Sequence, residues 1–262
     1  MIHVKSFKKN DIFDLLASDD WPQAVDPDLI CQEGSEIDQI IRAEGIIGFC
    51  LDENIEDKKF LDFGCGLGYV CQQALERNPK FVVGYDIEMH DWKKLESNLL
   101  FTNKWEDVEK NAPYDFILIY DVLDHSLVDP IEILQKINNI SHEQTKVYVR
   151  NHPWCSRHGS HFYHKLNKAY LQLILTENEL IKLGVEEYFT RKIIYPISTY
   201  TNWFEKSGFE IIFQNLIAEN VENFFEKEII KQRIRSHYKN QDLPLFQMKI
   251  CFLDFILKKK LT

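Results

Sequence analysis

Residues 60–70 read Phe-Leu-Asp-Phe-Gly-Cys-Gly-Leu-Gly-Tyr-Val, an apolar run that meets an acid, Asp62, and then three glycines at alternate positions, Gly64, Gly66 and Gly68. A second apolar run, Phe81-Val82-Val83-Gly84-Tyr85, ends in Asp86, eighteen residues beyond Gly68. Glycine has no Cβ and reaches positive φ at little cost, so such a loop lets backbone approach a ligand closely. An acid about 20 residues further on, at the tip of the next strand, can accept both hydroxyls of a ribose. The two segments together predict a nucleoside held over the carboxyl end of a parallel sheet.

Working outward, the pattern alternates. Strands are predicted over 59–63, 81–86, 99–102, 114–120 and 145–150, with helices over 68–78, 91–97 and 130–139. Strands alternating with helices argue for a parallel sheet with right-handed crossovers. Asn78-Pro79 stops the first of these helices, and Asp129-Pro130 opens the last. Upstream, helices are predicted near 10–17 and over 34–51. After residue 150 the rhythm breaks. Thr176-Glu177-Asn178-Glu179 reads as a capping box for a helix over 177–183 that stops at Gly184. Ser198–Lys206 and an amphipathic stretch within 217–240 complete the helical content.

The glycine spacing discriminates among cofactors. A dinucleotide fingerprint is Gly-x-Gly-x-x-Gly; here the third glycine arrives one position early and Tyr69 follows it. Asp62-x-Gly64-x-Gly66-x-Gly68 resembles motif I of the class I S-adenosylmethionine-dependent methyltransferases. That cofactor carries no pyrophosphate to place on a helix N-terminus, but it carries an ammonium that an acid beside the loop favours. Tyr114-Asp115, the apolar run to Tyr120, and Asp121-Val122-Leu123-Asp124-His125 resemble the family's fourth-strand segment, with Asp124 where the family has Glu. Ser207-Gly208-Phe209 and Lys249–Leu257 are similar to its sixth and final strands. The resemblance covers 58–150 well and 198–258 moderately.

The resemblance implies a Rossmann-like α/β fold with a seven-stranded, mostly parallel sheet and an antiparallel final strand. It implies a cofactor site at Asp62, Gly64, Cys65, Gly66, Asp86, Ile87, Asn103 and Asp121. Asn103 stands where the family often has an acid for the adenine amino group, and its amide carbonyl can accept the same bond. Cys65, inside the loop, reads as a small packing residue rather than a reactive thiol. The expected division of the chain is a helical extension over 1–57, the cofactor-binding core over 58–150, a lid inserted after strand five over 151–200, and the end of the core sheet with an added helix over 201–262.

Composition narrows the partners. The chain has 262 residues, 45% of them hydrophobic, and a net charge of −10 from 31 basic and 41 acidic side chains. An acidic surface repels a phosphate backbone, so nucleic acid is disfavoured as a partner. No apolar run approaches a membrane span. Six cysteines without Cys-x-x-Cys spacing read as reduced thiols of a cytoplasmic protein. The charge is uneven: residues 1–60 hold 14 acids and 6 bases, whereas 150–192 hold four of the nine histidines and lean basic.

That basic stretch supplies the expected substrate contacts, Trp154, Arg157, His158 and His161, for a small and possibly anionic acceptor. Its histidines are broken by Pro153 and Gly159 and include no carboxylate, so no metal is expected. Asn151-His152-Pro153-Trp154 is not read as the Asn-Pro-Pro-Tyr motif of adenine amino-methyltransferases, which belongs after strand four. His125 and His152 are the two expected bases, because imidazole titrates near neutrality. The expected activity is methyl transfer from S-adenosylmethionine to oxygen or nitrogen of a small or medium-sized molecule. The alternatives are a non-catalytic S-adenosylmethionine-binding module and a nicotinamide-dependent oxidoreductase.

Overall fold

The computed structural model describes residues 11–26, 35–50, 55–92, 96–123, 126, 128–153, 155–157, 159, 161–185, 197–237 and 245–261. In chain order the elements are α1 (Asp11–Ala17), α2 (Glu36–Cys50), β1 (Lys59–Phe63), α3 (Tyr69–Leu75), β2 (Phe81–Tyr85), β3 (Leu99–Thr102), α4 (Trp105–Asn111), β4 (Tyr114–Tyr120), α5 (Pro130–Asn139) and β5 (Ser141–Asn151). They continue with α6 (Leu171–Ile174), α7 (Glu177–Lys182), α8 (Ile197–Lys206), β6 (Phe209–Ala218), α9 (Glu222–Phe225), α10 (Glu228–His237), α11 (Leu245–Lys249) and β7 (Ile250–Lys259).

The seven strands form one sheet in the order β3-β2-β1-β4-β5-β7-β6. Strands β1 to β5 pair in parallel, and β7 runs antiparallel to β5, with Arg150 opposite Asp254. This is the Rossmann-like α/β sheet the motifs implied. The strand order reverses at β1, which sits between β2 and β4. Open α/β sheets bind ligands at such a switch point, outside the carboxyl ends of the strands. The glycine loop leaves β1 there.

The chain divides into two compact units. The larger comprises 32–151, 197–216 and 252–262 and holds most of the sheet. On one sheet face Phe60, Phe116, Leu118 and Tyr148 bury against Ile46 and Ile47 of α2 and Cys71 and Ala74 of α3. On the other face Phe204 of α8 meets Phe255 edge-on, at 4.9 Å between ring centroids. Both packings follow from period-2 alternation along strands whose successive side chains point to opposite faces. Helix α5 starts as expected: Asp129 Oδ1 accepts from Ile131 N at 2.8 Å and Pro130 occupies the first turn.

The smaller unit comprises 1–31, 152–196 and 217–251. Its core gathers Trp21, Phe162, Tyr170, Phe224 and Phe225. Trp21 Nε1 donates to the Ala169 carbonyl at 2.8 Å, and Asn167 Oδ1 accepts from both Ala24 N and Val25 N at 3.0 Å. The segment after β5 therefore packs with N-terminal residues and with 217–251 around a core of its own. These units do not coincide with the four-part linear division expected from the sequence.

Three element expectations need correction. The predicted helix over 91–97 does not form at its described residues 91, 92, 96 and 97. Trp92 is instead drawn into the glycine loop and stacks on Phe101, at 5.3 Å and 15°. Helix α4 was not anticipated; Glu106 and Asp107 in its first turn favour the positive end of its dipole. The stretch within 217–240 forms two helices rather than one. Phe224 and Phe225 both bury although adjacent, which a single amphipathic face does not permit, and α10 then presents Ile230 and Ile234, four residues apart. The capping box at Thr176 and Glu179 is present in full.

Candidate functional site

The glycine loop owes its course to three left-handed residues: Gly64 at φ 84°, Gly66 at φ 50° and Gly68 at φ 83°. A Cβ at Gly64 would meet Val122 Cγ2 at 2.3 Å, and one at Gly68 would meet Phe101 Cζ at 2.4 Å. A Cβ at Gly66 would meet nothing within 4 Å. Gly64 and Gly68 are thus required by packing as well as by φ, whereas Gly66 faces open space where a ligand can approach backbone.

Asp86 ties that loop to β2. Its Oδ2 accepts from Gly66 N at 2.8 Å and its Oδ1 from Glu88 N at 3.0 Å. A carboxylate offers about four acceptor sites, so capacity remains for two further donors. His90 Nε2 lies 3.8 Å from Asp86 Oδ1. The Gly66 carbonyl in turn accepts from Trp92 Nε1 at 2.8 Å. Ile87, immediately after Asp86, is 75% exposed and Asn103, just past β3, is half-buried. The strand register places Asp121, the glycine loop, Asp86 and Asn103 in succession at the carboxyl ends of β4, β1, β2 and β3.

Beside the loop lies a cavity of about 350 Å³. Its wall includes Gln39, Arg42 and Ile46 of α2, Asp62, the backbone from Gly64 to Tyr69, Tyr120 and Asp121. Asp62 is 3% exposed, and burial pushes its carboxyl up to about 7; the Cys71 thiol, donating to Asp62 Oδ2 at 3.6 Å, pulls the other way, and the nearby Asp86 adds a smaller upward push. A buried acid poised near neutrality is suited to a cationic partner, which would hold it ionised. Burial also pushes the Tyr120 hydroxyl up, against the pull of Arg150 and Arg42. Asp121 adopts φ 57°, and its N–H donates to the Arg150 carbonyl at 2.8 Å. Arg150 itself grips Asp254 with Nε at 2.5 Å and Nη2 at 2.7 Å, and lies 4.9 Å from the Phe252 ring centroid.

In the larger unit the structure brings together Asp62, Gly64, Cys65, Gly66 and Asp121 around the cavity, with Asp86, Ile87 and Asn103 along the neighbouring strand ends. In the smaller unit His152 is buried and His161, at φ 56°, places its ring 5.9 Å from that of His152. Arg157 donates Nε to the Gln23 carbonyl at 2.8 Å and Nη1 to Glu219 Oε2 at 2.6 Å, so much of its guanidinium serves this unit's own structure. His125, Trp154 and His158 lie outside the described residues. Sequence reasoning missed three contributors. Arg42 belongs to a stripe at 39, 42, 43 and 46 that helical periodicity could have exposed. Tyr120 shares a strand face with Phe116 and Leu118. Trp92 carries no sequence signal. Trp105 packs edge-on against Phe63 and Tyr85, at 6.2 and 5.6 Å.

Comparison with known proteins places these features in context. The family profile described as a methyltransferase domain matches residues 39–214, about two thirds of the chain. No curated protein matches. Among solved structures, a protein from Listeria monocytogenes described as an S-adenosylmethionine-dependent methyltransferase is 15% identical, with a TM-score of 0.52 over 85% of this chain and 98% of that one. An S-adenosylmethionine-dependent methyltransferase from Archaeoglobus fulgidus is 18% identical, at 0.50 over 89% and 100%. The plantazolicin methyltransferase BamL, solved with a triazolic desmethylPZN analogue and S-adenosylhomocysteine, is 17% identical, at 0.50 over 89% of each chain. At these identities the structures share the fold.

Proposed function

Since the chain belongs to the methyltransferase-domain family and is a class I S-adenosylmethionine-dependent methyltransferase, we propose that it methylates an oxygen or nitrogen of a small or medium-sized molecule. The observation that carries the cofactor placement is the cavity lined by Asp62 and the glycine loop, with Asp86 bonded to Gly66 N beside it and Gly66 open to a ligand.

The residues present fit that cofactor. Asp62 supplies a buried anion for its ammonium, and Asp86 has acceptor capacity for two ribose hydroxyls. Ile87 offers exposed apolar surface that would suit a planar base. When bound, S-adenosylmethionine supplies an electrophilic methyl group on sulfur. The chain's own contribution is then positioning and the exclusion of water, which together account for most of the acceleration such a displacement needs. Arg42 and Tyr120, on the same cavity wall, are donors that suit an anionic or carbonyl oxygen. An oxygen nucleophile also needs a proton acceptor, and we assign that role to His125 or His152. Trp154, Arg157, His158 and His161 are assigned to the acceptor. The chain's net charge of −10 suits a small acceptor better than a nucleic acid.

The test is transfer of isotopically labelled methyl from S-adenosylmethionine to sets of hydroxy, amino and carboxylate small molecules. Label in a small-molecule product bonded through oxygen or nitrogen is expected, and His125→Ala or His152→Ala should lower kcat for an oxygen acceptor. Label confined to protein or nucleic acid would overturn the proposed substrate class.

A further inference from the structure

After β2 the chain folds into a short turn around Asp86. Asp86 Oδ1 accepts from Glu88 N at 3.0 Å, and the His90 carbonyl accepts from Trp92 N at 2.8 Å. Trp92 is itself fixed twice: its indole donates to the Gly66 carbonyl at 2.8 Å and stacks on Phe101 at 5.3 Å between centroids. The His90 ring lies 5.6 Å from that indole. A turn pinned at both ends thus sets the imidazole beside the acid. His90 Nε2 stands 3.8 Å from Asp86 Oδ1, with the two side chains 23% and 16% exposed.

That separation is too long for a direct hydrogen bond. As a partly exposed ion pair it contributes little stability. It is, however, the base of a triangle whose other two sides are ordinary hydrogen bonds. A hydroxyl oxygen about 2.7 Å from the carboxylate and about 2.9 Å from the imidazole nitrogen bridges the two. A hydroxyl suits the pair because it donates and accepts at once. Its hydrogen goes to the carboxylate, and a lone pair takes the imidazole N–H. An ammonium group cannot accept from His90, and a carbonyl cannot donate to Asp86. Asp86 Oδ2, which holds Gly66 N at 2.8 Å, keeps a lone pair for a neighbouring hydroxyl.

We propose that His90 is a second ribose ligand, donating Nε2–H to one hydroxyl of the cofactor's ribose while Asp86 Oδ1 accepts from that same hydroxyl. This assignment rests on the cofactor placement above and extends it. Recognition of the shared hydroxyl becomes two-sided: a deoxyribose lacking it leaves both the imidazole and the carboxylate without their ligand partner. A site built to hydrogen-bond a hydroxyl rejects the analogue that lacks it. His90 lies at the ribose end of the cofactor, so its part is binding and selection of the sugar, not methyl transfer.

The test is calorimetry at pH 8, where Asp62 is mostly ionised. S-adenosylhomocysteine and its 2′-deoxy and 3′-deoxy analogues are each titrated into wild type, His90→Ala and His90→Gln. His90→Ala should weaken S-adenosylhomocysteine about fivefold, the size of one neutral hydrogen bond. The same loss should appear on one deoxy analogue and vanish on the other, the one that lacks the shared hydroxyl. His90→Gln, which keeps an N–H close to the Nε2 position, should stay within about twofold of wild type on all three ligands. An equal His90→Ala loss on all three ligands would confine His90 to shaping the turn and overturn the proposal. No loss on S-adenosylhomocysteine would also overturn it, as would a glutamine no better than alanine. Failure of wild type to bind S-adenosylhomocysteine would sink the cofactor placement and this assignment together, whereas binding by wild type with any of the former results sinks the assignment alone.

Discussion

Asp62→Asn replaces a buried carboxyl with an amide of nearly the same shape, and the structure sets what this does to stability. Burial raises the folded-state value to about 7 from an ordinary 3.8. Between those limits the folded chain holds a proton that the unfolded chain has released. The wild type is therefore favoured most at low pH and loses stability as pH rises through this window. Above 7 the folded carboxylate carries the whole desolvation penalty, which is about 4 kcal/mol for a shift of roughly three units at 1.36 kcal/mol each. At pH 5 the penalty is only about 1.5 kcal/mol on the same basis. The amide carries none at either pH and can still accept from Cys71. Relative to wild type, the variant should gain about 2.5 kcal/mol between pH 5 and pH 8, whatever fixed packing cost the substitution brings. Urea unfolding of both proteins at the two pH values reads that difference directly. The same variant should lose most affinity for S-adenosylhomocysteine, since the ammonium loses its anion. A variant whose stability relative to wild type is the same at both pH values would refute the claim that Asp62 is a strained buried acid.

Wild-type affinity for S-adenosylhomocysteine should drop about tenfold from pH 8 to pH 6, because a proton on Asp62 competes with the ammonium near pH 7; calorimetry at constant ionic strength measures it, and a flat profile would count against direct ion pairing. Asp86→Ala should weaken the same binding by about 1.5–3 kcal/mol, as for hydrogen bonds to a charged group, with unchanged affinity meaning that the ribose lies elsewhere. Gly64→Ala should lower the melting temperature more than Gly66→Ala, because only the former drives a methyl to 2.3 Å from Val122 on top of its positive φ; equal losses would show that backbone conformation alone decides. Arg150→Ala strands the nearly buried Asp254 and should destabilise by about 3–5 kcal/mol, which chemical denaturation can check.

The legible parts of this chain are those where local chemistry leaves one solution. Three glycines that must take positive φ, flanked by apolar runs ending in Asp62 and Asp86, specify a strand–loop–helix at a switch point. The capping box at Thr176 and the Asp129-Pro130 helix start were legible for the same reason, since caps are written in adjacent residues. What escaped depends on contacts distant in sequence. Trp92 leaves its expected helix because its indole finds the Gly66 carbonyl and the Phe101 ring, 26 and nine positions away. Arg150 and Arg157 pair with Asp254 and Glu219, which lie 104 and 62 residues on. Neither pairing has any local signature. Residues 152–185 looked like an isolated insertion because nothing near them in sequence announces that Trp21 and Asn167 tie them to the N-terminal stretch.

The central claim is that the loop from Asp62 to Gly68, with Asp86, is an S-adenosylmethionine site. Isothermal titration of the reduced protein with S-adenosylhomocysteine, alongside NAD, tests it most directly. The account predicts one S-adenosylhomocysteine bound per chain, no heat from NAD, and a marked loss of the S-adenosylhomocysteine signal in Asp86→Ala. Binding of NAD in place of S-adenosylhomocysteine, or binding of neither, would contradict it.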